Sequence, residues 1–439
     1  MILNIEVIVK RADLCGMEEL AVVLRKKFGN RMLRWFISGL TDQEVAIEIT
    51  LSEQEEYPFP QERVTEWYPG KSVVVNIIPT GIGCEIGGYA ADAAPATALL
   101  ASCTDYLITN PNAVNASDFI FMPENVLYTE GFMIDQFCRG ILNLYKPYAN
   151  KVGLIIEDAD QQDLEVIFNI ANTVRAVHGV DIEHVVVTEG KIGGCCERNK
   201  SGSYVGKLED PSVLCKACEE LIDKGVDAIA VTSNIRDLPL ENYAKHFAGL
   251  HPNPVGGAEA IISHLIGAKY KIPTAHAPLI NLKSMELKTR IVDPRGAGEF
   301  SSASGLACVL VGLSQAPQVS PHSRCRIKDI VNINNLLAIV APAGALGGIP
   351  MLCAESDRIP IIAVKDNKTI LDVTAAGLNL TQVVEVNNYA EAAGVVQALR
   401  KGISLRSIYR PLSALRDPGA EINLITEDTA AKERVLSKK

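Results

Sequence analysis

The stretch Val73–Asp92, VVVNIIPTGIGCEIGGYAAD, constrains the fold more than any other part of the chain. Its β-branched run, Val73 to Ile78, stops at Pro79 and opens into a loop with glycines at 81, 83, 87 and 88. That is the pattern of a buried strand feeding a turn whose backbone can come close to a ligand. The device recurs along the chain. Further strands are predicted at Tyr106–Thr109, Val152–Ile156, His184–Val187, Ala228–Thr232, Leu306–Val311, Leu336–Val340 and Pro360–Val364. Several are almost wholly apolar, as strands are when helices cover both faces of a sheet. Helices are predicted at Ile134–Tyr145, Leu164–Val177, Pro211–Lys224 (Asp210 as N-cap) and Tyr389–Arg400. The expected class is α/β, with mostly parallel, Rossmann-like sheets in two lobes.

Residues 1–65 read as a small α+β unit of βαββ order. Ile2–Val9 alternates as a strand, Met17–Phe28 is an amphipathic helix, and Met32–Ser38 with Glu44–Leu51 forms a hairpin. No chemistry is assigned to this unit, which suits a binding or dimerisation appendage. A main α/β domain is expected over 71–320, a C-terminal α/β unit over 321–415 beyond a hinge at Pro317–Ser323, and a charged tail over 416–439.

Bulk properties exclude several classes of function. A length of 439 residues allows a full core and more than one domain. A net charge of −10 with dispersed Lys and Arg argues against a nucleic-acid surface. No apolar stretch reaches the roughly 18–20 residues of a membrane span, and the N-terminus MILNIEVIVKRADL reads as a strand, not a signal peptide. Eleven cysteines without a framework spacing fit a reducing compartment. The expected location is the cytoplasm, with no membrane partner and with a homo-oligomer left open.

Thr80, Gly81 and Gly83, followed by Gly87, Gly88 and Asp92, stand where open α/β sheets place ligands. Backbone N–H groups freed by the glycines would suit a phosphate or carboxylate. A nicotinamide dinucleotide is the alternative, although the spacing is not GxGxxG. A purely tight turn is the plain reading. Asn110, Asn112 and Asn115 crowd a Pro-stiffened loop after the next strand, where they could orient a polar ligand or make Asx turns. Glu130 follows as an acid–base candidate.

Gly256-Gly257 opens a helix whose first-turn N–H groups again suit an anion. By the 3.6-residue period, Glu259 and His264 lie about 140° apart, so the pair alone does not converge on a metal. His276 ends a short strand before Ala277-Pro278, so its imidazole should lie at a strand's end; it and His264 read as acid–base groups or as satisfied core or cap histidines. Arg295 and Glu299 share a glycine-rich loop where the guanidinium could grip an anion or make a loop ion pair. Gly347-Gly348 repeats the strand-to-glycine device, and the two glycine loops could face each other across a cleft. Cys195-Cys196 and Cys215-x2-Cys218 look like four thiolates, but the latter pair falls within a predicted helix, unlike a zinc knuckle.

The segments PTGIGCEIGGYAADAAP, LITNPNAVNA, VLYTEGF, GGAEAIISHLI, PTAHAP, CVLVGLSQAP and PAGALGGIPML together resemble a domain family of unknown function found in cyanobacteria, other bacteria and plant plastids. The resemblance runs through roughly residues 71–415. It implies that Gly81, Gly83, Gly87, Gly88, Asp92, Pro111, Asn112, Asn115, Glu130, Glu259, His264, His276, Pro294 and Glu299 fall on the family's pattern. It also marks two departures, since the family usually has His at Asn110 and Cys at Leu346. No activity comes with it.

The function expected from these residues is an intracellular enzyme acting on a small anionic metabolite by isomerase, lyase or hydrolase chemistry. The catalytic candidates are His276, His264, Glu130 and Glu259, and no redox cofactor is required. A NAD(P)-dependent oxidoreductase and a non-catalytic metabolite-binding protein are the alternatives; a divalent metal is a minor one.

Overall fold

The computed structural model describes residues 1–13, 17–53, 56–57, 62–64, 66, 68, 70–89, 92–111, 122–236, 240–279, 291–301, 305–320, 326–412 and 414–415. Asn112, Asn115 and the tail from residue 416 lie outside them.

The fold is α/β. A six-stranded parallel sheet is built from two distant parts of the chain: Val73–Asn76, Tyr106–Thr109 and Val126–Tyr128 on one side, Leu336–Pro342, Ile361–Val364 and Val383–Val386 on the other. Val73 to Val75 and Ile339 to Ala341 are fully buried, as apolar strands covered on both faces must be. A second, four-stranded parallel sheet comes from the intervening chain: Thr274–Pro278, Ala228–Ser233, Val152–Ile156 and Val185–Val187, in that spatial order. The boundary expected near residue 320 therefore falls within the stretch joining two halves of one sheet.

The N-terminal residues do form strand, helix, strand, strand: Ile2–Lys10, Met17–Phe28, Met32–Leu40 and Glu44–Ser52. They do not stand apart. Ile2 pairs with Leu208, so these strands share a five-stranded antiparallel sheet with the hairpin Gly194–Arg198 and Tyr204–Leu208 from the middle of the chain. One hydrophobic cluster runs through these three sheets, including Ile2, Leu20 and Trp35 with Val75, Ile229 and Ile339. Each such buried side chain contributes about 1.5–3 kcal/mol, so the N-terminal strands are part of the core.

Helix ends follow their caps. Asp160 accepts from the Asp163 N–H at the start of Gln161–His178, and Gly179 ends that helix in the left-handed region. Asp210 caps Pro211–Asp223, and Asn388 caps Tyr389–Arg400. Three expectations fail. Pro294–Ser301, expected as a glycine-rich loop, is a helix, so Arg295 and Glu299 are helical residues. Leu306–Val311 lies in a helix, Leu306–Ser314, because a short wholly apolar run carries no period to separate buried strand from buried helix. The helix expected at Ile134–Tyr145 starts earlier, at Gly131, and stops at Cys138; Asn143–Tyr145 is a strand. Among the described residues no helix is long and apolar enough to cross a membrane.

Candidate functional site

Chain order reverses in the six-stranded sheet between Val73–Asn76 and Leu336–Pro342. Beyond the carboxyl ends of strands at such a switch point, open sheets take their ligands. A cavity of about 160 Å³ lies there. Ile77, Pro79, Thr80 and Ile82 line it from one strand's loop, and Ala345, Gly347 and Gly348 from the other's. The helix Gly256–Tyr270 contributes Glu259, Ser263 and His264, and the neighbouring strand contributes His276. The N-terminal sheet adds Asn4, Arg34, Phe36, Glu48 and Thr50, and Glu130 and Asn110 also line the space.

His276 is buried, and its Nε2 lies 2.8 Å from the Ser233 hydroxyl, behind the imidazole. Its Nδ1 lies 3.6 Å from Glu259 Oε2, beyond hydrogen-bond distance. Among the described residues no group hydrogen-bonds this nitrogen. Such buried, unsatisfied polar atoms are rare and call for an explanation. Burial pushes the Glu259 carboxyl above the usual range, against the opposing pull of His276.

His264 is committed elsewhere. Its Nδ1 lies 2.9 Å from Glu130 Oε2, and its Nε2 lies 3.2 Å from Arg34 Nη1. A guanidinium can only donate, so Nε2 is the accepting nitrogen and Nδ1 carries the hydrogen given to Glu130. Glu130 also caps the helix Gly131–Cys138, accepting from the Phe132 N–H at 2.7 Å and the Met133 N–H at 2.6 Å. Arg34 Nε and Nη2 donate to the two oxygens of buried Asp135, at 2.6 and 3.2 Å. Asp135, Arg34, His264 and Glu130 thus form a chain in which each polar atom facing its neighbour is already used. The sequence offered Glu130 and His264 as acid–base candidates; in the structure they are bonded to each other, to Arg34 and to a helix end.

The glycines are used largely for backbone packing. A Cβ on Gly347 would stand 2.4 Å from the Ile37 carbonyl oxygen, because the N-terminal strand pairs directly with this loop: the Ile37 N–H donates to the Gly347 carbonyl at 3.0 Å. A Cβ on Gly257 would likewise stand 2.4 Å from the Tyr204 carbonyl oxygen. The helix N-terminus at Gly256 meets the sulfur of Cys196, which accepts from the Ala258 N–H at 3.2 Å. Asn110 lines the cavity, yet its amide brackets Ile78, accepting from the N–H at 2.9 Å and donating to the carbonyl at 2.5 Å. It continues the sheet ladder past the strand end.

Other sequence candidates lie off the cavity lining. Gly81 is beside it, against Gly257. Gly83, Gly87 and Gly88 belong to a loop fastened to residues 367–370, where the Ile86 N–H donates to Asn367 at 2.8 Å. Asp92 accepts from the Gly87 N–H at 3.0 Å. Arg295 is engaged by Asp293, Glu85 and the Gly249 carbonyl and lies over the Tyr89 ring. Glu299 sits 3.4 Å from His246, which stacks on Tyr89. Leu346 is fully buried core. Cys215 and Cys218 are buried on their helix, and among the described residues no group of three or more His, Cys, Asp or Glu could hold a metal ion.

Sequence reasoning missed Arg34 and Glu48. Glu48 is buried, accepting from Asn4 Nδ2 at 2.7 Å and Asn199 Nδ2 at 3.4 Å, and burial pushes its carboxyl up to about 8. The described lining therefore carries Glu48, Glu130 and Glu259 against Arg34. Burial raises two of these carboxyls, Glu48 and Glu259, and Arg34 is already matched by Asp135.

A family described as a protein of unknown function, DUF3326, matches residues 73–409. A protein of Synechococcus sp. named an uncharacterized lipoprotein is 34% identical over 340 residues, which cover 76% of this chain and 92% of that protein. Arg34 and Glu48 lie outside the stretch the family matches.

Proposed function

The chain belongs to this family of unknown function, and from the geometry of its cavity we propose an enzyme that moves protons on a small polar metabolite. His276 and Glu259 are the working pair. One observation carries the reading: His276 Nδ1 is buried on the cavity wall, 3.6 Å from Glu259 and without a hydrogen bond among the described residues. A ligand group placed between imidazole and carboxyl would satisfy both. Catalytic hydrogen bonds are often long in an empty site and tighten around substrate.

In the mechanism, Glu259 holds or releases a proton at its carboxyl while His276 Nδ1 does the reverse. Ser233 fixes the ring from behind through Nε2. The Asp135–Arg34–His264–Glu130 chain holds in place the helix Gly256–Tyr270, which also carries Glu259. This division supports isomerase, lyase or hydrolase chemistry without a redox cofactor.

Two other assignments fit less well. Ser233, His276 and Glu259 have the order of a nucleophile triad. However, Ser233 is fully buried and absent from the cavity lining, while Glu259 and His276 face it, so the serine is on the wrong side of the ring. A nicotinamide dinucleotide would need far more than about 160 Å³, given that pockets for drug-sized ligands run roughly 300–1,000 Å³.

Mass spectrometry of compounds released by denaturing freshly purified protein tests the proposal. A small metabolite that the native protein then turns over supports it. Released NAD(P), or a bound metabolite never turned over, would favour the oxidoreductase or the binding protein.

A further inference from the structure

Glu48 is the feature that the acid–base reading leaves unused. It projects from the strand Glu44–Ser52 into the cavity wall, buried to within 6% of full cover. The groups facing it are Asn4 and Asn199, which donate to it, Glu6 directly across the strand pair, and Arg34 on the neighbouring strand. Arg34 is taken by Asp135. Among the described residues no ion pair is formed by Glu48. A carboxyl buried without its own cation is costly unless a partner arrives.

A second observation from the same cavity points to a ligand. His276 Nδ1 is buried, lines the space and lacks a hydrogen bond among the described residues. An ammonium group supplies three N–H donors and a positive charge, matching an unpaired carboxyl on a wall already rich in carboxyls.

We propose that Glu48 is a specificity residue that recognises a protonated amine on the ligand. The N-terminal sheet, outside the family-matched stretch, then decides which metabolite this chain accepts. The assignment rests on reading this cavity as the active site, and it names the substrate class as amine-bearing. Burial lifts the Glu48 carboxyl to about 8, and an ammonium beside it would restore the charged form.

The test uses the full chain at about pH 7.5 and three fragments of one size: propylamine, propionate and 1-propanol. Their affinities are read by saturation-transfer NMR, with no turnover needed. The wild type is expected to bind propylamine roughly tenfold or more tightly than either of the others, the size of effect that one charge-assisted hydrogen bond gives. Glu48→Gln should abolish that preference, and Glu48→Asp, which keeps the charge, should retain part of it. Equal affinity for the three, a preference for propionate, or an amine preference unchanged in Glu48→Gln would overturn the assignment. Because binding is read alone, such a result leaves the acid–base proposal standing. An amine preference in a protein without turnover would do the reverse.

Discussion

His276 Nδ1 and Glu259 Oε2 stand 3.6 Å apart on the wall of the cavity, within ion-pair reach but longer than a hydrogen bond, and close enough to share a ligand atom. The two come from parallel-sheet elements, the strand Thr274–Pro278 and the first turn of the preceding helix Gly256–Tyr270. The histidine of that helix, His264, has both ring nitrogens occupied. The two imidazoles thus differ: one ring nitrogen of His276 lacks a hydrogen bond among the described residues, while both of His264 have partners.

Arg34→Ala would leave Asp135, 1% exposed, as an unpaired buried carboxylate. The expected loss of stability is about 3–5 kcal/mol by denaturant unfolding. Arg34→Ala/Asp135→Ala should cost less than the sum of the single changes, by roughly 1–3 kcal/mol. Additive costs would show that the pair is not coupled.

Gly347→Ala should destabilise by about 1–3 kcal/mol, since the new methyl would collide with the Ile37 carbonyl, which belongs to a paired backbone. Gly348→Ala should stay within roughly 0.5 kcal/mol, because its nearest contact is the flexible end of Met351 at 3.0 Å. Equal unfolding midpoints for the two variants would contradict the docking of the N-terminal strand on this loop.

Glu48 gives stability a pH dependence of definite sign. Its carboxyl keeps its proton to about 8 in the folded chain, against an ordinary value of 4.5. Between these values the folded state binds more protons than the unfolded one, so this contribution is full at low pH and is lost as pH rises through about 8. Glu259 and Asp92 are shifted in the same direction but are common to both proteins compared. The Tm of Glu48→Gln relative to wild type should therefore rise between about pH 5 and about pH 8. A difference that stays constant would mean that Glu48 titrates normally.

Much of the α/β frame was legible because apolar strands, N-caps such as Asp210 and Asn388, and strand-end glycines are local signals. The cavity lining includes His276, His264, Glu130, Glu259, Thr80, Asn110, Gly256, Gly257, Gly347 and Gly348, all read from the sequence. Their roles were less legible than their place. Gly347 and Gly257 serve backbone contacts with partners 310 and 53 positions away (347 − 37 and 257 − 204), which no local pattern encodes. Arg34 and Glu48 were missed because charged residues alternating along a strand are what a solvated face looks like. Here that face closes a cavity. The remaining signal was faint: Asn4, Arg34, Glu48 and Thr50 place polar groups on one face of three adjoining strands.

The most direct test of the central claim compares wild type with His276→Asn on the metabolite released from the purified protein, measuring binding and turnover side by side. Asparagine keeps a polar group near Ser233 and cannot carry a proton between pH 5 and 9. Turnover should fall about 10²–10⁴-fold, the range for losing a general acid or base, while the dissociation constant changes by less than about threefold. Turnover equal to wild type, at unchanged binding, would contradict the assignment of His276 as the proton carrier.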